Sequence, residues 1–384
     1  MSKRLRPLSR FLLAASLLAP QAFARPAPSS QQIVYFGTHG SGPGQGIFAA
    51  RFDSKSGRLA SLGLAAEIER PTWQVASSDK SILYSVSETG NDGKSEASVY
   101  SLAIDRATGK LSVVNKVGSG GGGATHLALD PRSATLFVAN YGTGTVAALP
   151  VTADGALGAA ASQQQDVGSG PKPRQKSAHA HSVAVDPSGH FLLVADLGAD
   201  RVFVYRFDPA TRQLSPAATP FLAAEPGSGP RHIAFAPDGR VVYIDSELSG
   251  EVTAYDWDQA RGRLQAIQTV PAFPADYTGE RSAAELSLSR DGRFLYVSTR
   301  NNDTLVAYAI DSTTGRLSEI QRLPAGGKTP WSFSLSPDGR WLLVANEASS
   351  LISVFKVDRR SGKLTATDKM LAVPKPVSVT FSPQ

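Results

Sequence analysis

The sequence has no cysteine. Disulfides, thiol nucleophiles and thiolate metal sites are therefore excluded. It also lacks a long hydrophobic run. The apolar stretch Phe11 to Ala19 falls well short of the ~20 residues that cross a bilayer. A Gly-x-Ser-x-Gly elbow is absent, so the sequence gives no support for covalent serine catalysis. His179 and His181 form a His-x-His pair without an assured third ligand, and Glu88 and Glu347 lie far apart in the repeat described below. No metal and no cofactor are expected.

A strong charge of one sign is missing as well, once the N-terminus is set aside. The formal charge is +6, from 39 basic and 33 acidic residues. Four of the basic residues, Lys3, Arg4, Arg6 and Arg10, stand before the apolar stretch, and Ala22-Phe23-Ala24 follows it in a small-x-small pattern. This order is that of a signal peptide over residues 1–24, cut after Ala24. Removing it leaves 35 basic against 33 acidic residues, so the basic balance is not an argument for nucleic-acid binding. The expected product is a periplasmic or secreted protein of residues 25–384, a monomer with no membrane span. That length supplies a core large enough to fold without disulfides.

What the chain does contain is one pattern repeated seven times. Its anchors are Ser78, Pro131, Pro187, Pro237, Arg290, Pro337 and Pro383. Clear copies run HSVAVDPSGHFLLV from His181, RHIAFAPDGRVVYI from Arg231 and WSFSLSPDGRWLLV from Trp331. Each is an alternating strand, a turn and a second strand. A third strand follows, such as Arg201 to Phe207. Then comes a Gly-x-Leu turn at Gly57, Gly109, Gly155, Gly262, Gly315 and Gly362, with Gln213-Leu214 in the remaining unit. A period of about 40–50 residues holding four short strands predicts an all-β, seven-bladed β-propeller and a single domain. The last anchor leaves Val377 to Ser382 as a lone first strand. Ile33 to Phe36 and Gly46 to Phe52 match a second and a third strand. The C-terminal strand is thus expected to complete the blade begun at the N-terminus, leaving no open edge.

Antiparallel order within a blade brings the start of strand one and the end of strand two to the same mouth of the central channel. The opening positions are Thr72, Thr125, His181, Arg231, Ala284, Trp331 and Val377. The closing positions are His39, Glu88, Tyr141, Leu197, Glu247, Arg300 and Glu347. Scaffold positions repeat their chemistry, whereas these vary and mix charges, which places function at this face. His181, Arg231, Glu247 and Arg300 fall on one arc. Histidine exchanges protons near neutral pH, glutamate can orient it or act as a second acid/base, and two arginines can clamp an anion or a developing oxyanion. The segment 168–181 adds Lys172, Arg174 and Lys176, an electropositive funnel suited to an anionic small molecule. Arg174, Lys176, His179, His39 and Glu347 are the substrate-binding candidates. Gly118 to Gly123 precedes no helix and reads as an inter-blade loop, not a phosphate cradle. Strand-end residues at a channel mouth are expected to bury little apolar area, so replacing His181, Arg231 or Arg300 is expected to leave thermal stability nearly unchanged.

Several stretches carry a family resemblance: Tyr35–Thr38 (YFGT), Val138–Tyr141 (VANY), Arg174–Gln175 with His179–Ser182, Ala195–Asp200 (ADLGAD), Gly229–His232 (GPRH), Glu247–Leu248 and Ser298–Asn301 (STRN). Here the chain resembles the lactonase family of seven-bladed propellers. That family includes bacterial propeller-type 6-phosphogluconolactonases and fungal 3-carboxy-cis,cis-muconate lactonizing enzymes. The resemblance implies a carboxylic ester hydrolase acting on a small, anionic sugar-type lactone, with His181, Arg231, Glu247 and Arg300 as catalytic residues. It leaves open which of His181 and Glu247 is acid and which base. A lactonizing cycloisomerase and a non-catalytic binding propeller are the alternatives. His39-Gly40 departs from the family's usual continuation after YFGT, and the signal-like N-terminus departs from a cytoplasmic pentose-phosphate setting.

Overall fold

The computed structural model describes residues 31–77 and 81–383. The signal-like segment, the anchor Ser78 and Gln384 lie outside them. Among the described residues, 28 strands form seven four-stranded antiparallel sheets. No helix there is long and apolar enough to cross a membrane. The sheets are the seven blades of a propeller. Six run consecutively along the chain. The closing blade is built from both ends, with Pro376–Phe381 innermost, then Gln31–Thr38, Gly46–Asp53 and Arg58–Glu67. Its clasp pairs Val34 with Phe381 and Phe36 with Val379, as the repeat predicts.

The second strand of each blade explains the run of apolar residues after the turn. Phe191–Asp196, Val241–Ser246, Phe294–Thr299 and Trp341–Asn346 are buried at every position, because neighbouring blades cover both of their faces. Outer strands such as Gln213–Ala223 stay largely exposed. Each fully buried aromatic or aliphatic side chain contributes about 1.5–3 kcal/mol. The Gly-x-Leu turn is the lock between blades. A Cβ on Gly262 would overlap the Phe191 ring, and one on Gly362 the Phe294 ring; both glycines also have positive φ. The adjacent carbonyls accept hydrogen bonds from a neighbouring blade: Tyr243 to Gly315 at 2.9 Å, Tyr296 to Gly362 at 3.0 Å and Tyr84 to Gly155 at 3.1 Å.

The innermost strands depart from simple alternation. In six of the seven blades the pairing register shifts at the opening position, as between Ala180 and Ser182, Pro230 and Ile233, and Ala283 and Leu286. Such a β-bulge re-aims side chains. Two consecutive residues of one strand therefore reach the channel, as Arg231 with His232 and Trp331 with Ser332 do.

Candidate active site

The mouth of the channel holds a cavity of about 430 Å³, within the range of small-molecule sites. Ten of the ring residues expected from the repeat line it: Thr72, Thr125, His181, Arg231 and Trp331 from the opening set, and His39, Glu88, Tyr141, Glu247 and Arg300 from the closing set. Ala284, Val377, Leu197 and Glu347 do not.

Glu247 is the hub. It closes a second strand, is 1% exposed, and is met by three guanidiniums. Arg174 Nη1 reaches Oε1 at 2.6 Å, while Arg231 Nε and Arg300 Nη2 reach Oε2 at 3.0 and 2.8 Å. Burial pushes its carboxyl up, but Arg300, Arg231 and Arg174 together hold it at about 2. It is a fixed anion near neutral pH. Arg231 is itself 2% exposed and also donates to the Ala284 carbonyl and, at 3.2 Å, to His232 Nε2. Arg300 lies over the Trp331 ring at 4.4 Å, and burial lowers its affinity for its proton. The three arginines are thus pinned by one carboxylate, and all three line the cavity.

Arg174 arrives from a loop rather than a strand end. The loop is locked by the buried Gln175, whose Nε2 donates to Leu197 O at 2.8 Å and Asp200 Oδ1 at 2.5 Å. Asp200 in turn accepts the backbone N–H groups of Gly227 and Gly229, at the entry to Arg231's strand. The Arg-Gln and Ala-Asp-Leu-Gly-Ala-Asp stretches therefore work as one latch. Arg174 Nη2 also donates to the Tyr141 hydroxyl at 3.0 Å.

His181 sits beside this clamp without touching Glu247. Its ring meets Tyr141 at 5.8 Å and His232 at 5.3 Å, both edge-on. Its Nδ1 is buried with no hydrogen-bond partner, which leaves Nε2 as the nitrogen facing the cavity. Burial first, then Arg231, His232 and Arg300, hold its pKa well below 6.5. His181 is therefore a neutral imidazole, able to accept a proton.

The other substrate-binding candidates are placed differently. His179 stacks on Tyr141 at 4.5 Å and bonds its carbonyl at 2.7 Å, backing the cavity wall without lining it. Lys176 is exposed and away from the cavity. His39 lines the cavity edge-on to Trp331, and burial, Arg70 and Arg300 hold its pKa at about 3; Glu347, 3.5 Å from its Nδ1, stands outside. In the glycine loop, Gly120 and Gly122 donate their N–H groups to Glu96 and Thr143, so these amides serve the scaffold.

Comparison with known proteins agrees with this architecture. A family described as "Lactonase, 7-bladed beta-propeller" matches residues 33–381. The chain belongs to the lactonase family. Its similarity extends to a 6-phosphogluconolactonase of Bacillus subtilis (strain 168), 31% identical over 304 residues that cover 79% of this chain and 85% of the relative. A 6-phosphogluconolactonase of Formosa agariphila is 31% identical over 295 residues, 76% and 82% of the two chains. The solved structure of a Pseudomonas aeruginosa periplasmic gluconolactonase superposes with a TM-score of 0.85 at 37% identity, covering 92% of this chain and 99% of that one.

Two features of this lactonase-family site were not foreseen. Glu247 and Arg231 are 1% and 2% exposed, a burial of charge that an expectation framed on apolar area left out. The residue following each opening position also matters. Trp73 and His232 form the cavity floor, with His126 against both rings at 4.4 and 5.3 Å. The signal was present in the sequence: Trp73, His126, Ser182, His232, Glu285, Ser332 and Ser378 vary from blade to blade as the openers do. Strict alternation would have turned them away from the channel; a bulge brings in those of six blades, while Trp73 stands just before its short strand Gln74–Ala76.

Proposed function

We propose that this lactonase hydrolyses a sugar-type lactone at the channel mouth with His181 as general base and Arg231 and Arg300 as the oxyanion clamp. Lactone hydrolysis makes the protein a carboxylic ester hydrolase. In the proposed step, water in the cavity gives a proton to His181 Nε2 as its oxygen attacks the lactone carbonyl. The carbonyl electrons move onto oxygen, where the guanidiniums stabilise the charge. The intermediate collapses by breaking the ring C–O bond, and His181 returns the proton to the leaving alkoxide. The product is the open hydroxy acid, with no net change at the enzyme.

Glu247 is assigned a holding role. A carboxyl at about 2 has no proton to give near neutral pH, and its two oxygens are already occupied by three guanidiniums. The observation that carries the reading is the neutral, cavity-facing His181 beside pinned cations that line the same cavity. The signal-like residues 1–24 support export, and the protein is proposed to act as an exported monomer.

The test is hydrolysis of glucono-1,5-lactone and its 6-phosphate above the spontaneous rate, with carboxymuconate as the cycloisomerase control. Acceleration of either lactone that disappears in His181→Ala is expected. Turnover of carboxymuconate alone, or of none of the three, would overturn the reading.

A further inference from the structure

Below the site lies a second cavity of about 260 Å³, walled from the first by Trp73 and His232 and containing Glu285. We propose that Glu285 is a positioning residue for the hydrolysis, acting through His232 to hold the Arg231 guanidinium at the upper cavity. The inference rests on the lactonase reading of that cavity.

The argument begins with donors and acceptors. A guanidinium only donates, so Arg231 Nη1 at 3.2 Å requires a lone pair on His232 Nε2. The proton of the neutral ring must then be on Nδ1. Nδ1 lies 2.9 Å from Glu285 Oε1, an acceptor. Glu285 is itself held. Oε1 also accepts the Leu286 N–H at 3.1 Å, and Oε2 accepts the Ser332 hydroxyl at 2.9 Å. His232 has little freedom to turn, because its backbone N–H donates to Asp245 at 2.7 Å and its ring is packed against Trp73, His126 and His181. The chain Ser332–Glu285–His232–Arg231 therefore has a single consistent set of donors, fixed from the carboxylate end. Glu285 is 5% exposed and does not line the upper cavity, so it acts only through its neighbours.

The bulged strands make this possible. Arg231 and His232 are consecutive, yet both face the channel, one toward the substrate space and one toward the support. Ala284 and Glu285 hold the same two positions one blade on. Ala284 gives its carbonyl to Arg231 and Glu285 gives its carboxylate to His232. The blade that opens at Ala284 thus braces the residues that the blade of Arg231 presents.

Glu285→Met keeps the volume and removes the acceptor. The imidazole is then free to move its proton to Nε2, which would set an N–H against the Arg231 N–H. With lactone as substrate, at a pH above about 7 where the Glu285 carboxyl ionises, kcat should fall by roughly tenfold to a hundredfold, the loss that metal-site histidines show when the partner orienting them is removed. KM should change less. Glu285→Gln retains an acceptor oxygen and should stay within about threefold of the parent by the same reasoning. In an Arg231→Met background, Glu285→Met should cost almost nothing further, because residues acting as one unit are non-additive. His232→Phe, which keeps the ring contacts and removes both hydrogen bonds, should lose as much as Glu285→Met, and it carries the test if Glu285→Met fails to fold. Unchanged kcat in Glu285→Met, an equal loss in the Arg231→Met background, or an equal loss in Glu285→Gln would each overturn the proposal. These outcomes are separate from failure of the lactonase reading, which would appear as an inactive parent protein.

Discussion

Replacing Glu247 with Gln tests the clamp where it is most exposed to measurement. The carboxylate is 1% exposed and is the shared ion-pair partner of Arg231 and Arg300, whose side chains are 2% and 9% exposed, and of the outer Arg174. Losing it leaves two buried cations uncompensated, and breaking a buried pair costs about 3–5 kcal/mol. Linkage gives a similar figure. A carboxyl held at about 2 instead of its ordinary 4.5 contributes about 3 kcal/mol once both folded and unfolded forms are ionised. For roughly 350 folded residues at about 2.1 cal/mol/K each, a loss of 3–5 kcal/mol lowers Tm by about 4–7 °C. The sign with pH follows. The contribution is present above about 4.5 and is lost as pH falls toward 2, so the Tm gap between parent and Glu247→Gln should close on acidification. Scanning calorimetry across that range measures it. Removing Arg174 as well should recover part of the loss, because one fewer cation then lacks its partner. A Glu247→Gln protein with parental Tm at neutral pH, or a gap independent of pH, would refute the claim that this carboxylate holds the arginines.

His181→Ala should reduce kcat on lactone by about a hundredfold or more, while His39→Ala, on the same rim, should reduce it far less; steady-state kinetics of the two variants decides. Because His181 is held neutral well below 6.5, kcat/KM should stay level as pH falls through 6.5, and a midpoint near that value would contradict the assignment. Deleting the final strand from Val377 onward removes the buried Val377 and Val379 and the partly buried Phe381 from the clasp, at about 1.5–3 kcal/mol each; an unchanged melting transition would refute the clasp as a source of stability. Exhaustive chelation should leave hydrolysis intact, and activity restored only by added metal would replace His181 as the source of the nucleophile.

Much of the architecture was legible because the scaffold repeats its chemistry. The turn after each first strand, the buried second strand and the Gly-x-Leu lock recur at nearly fixed spacing, and the half-blades at the two ends match one another. His181, Arg231, Glu247 and Arg300 could be grouped because strand ends of neighbouring blades converge on one mouth. What periodicity could not supply is the local break in it. The bulge places His232 and Glu285 in the channel against the period-two rule, and no turn residue marks it. The role of Glu247 was equally hidden. A glutamate beside a histidine suggests acid/base work, and only the three guanidiniums around it show a structural anion. Arg174 was grouped with Lys172 and Lys176 by charge, yet only Arg174 is delivered to the site, because Gln175 latches its loop to Asp200.

The two-ended blade also governs the order in which the molecule can be assembled. The hairpin spanning residues 31–53 lies near the start of the chain, yet its inner strand, Gln31–Thr38, has its partner Pro376–Phe381 at the other end. Until those two ends pair, the blades form an open arc with a bare strand edge, a surface that invites pairing with another chain. Closing a loop of this length costs several kcal/mol of chain entropy, on the order of (3/2)RT ln n. Ring closure therefore waits on the two ends of the chain, and the rim residue His39, whose N–H donates to the Lys375 carbonyl at 3.1 Å, is set in place by that meeting.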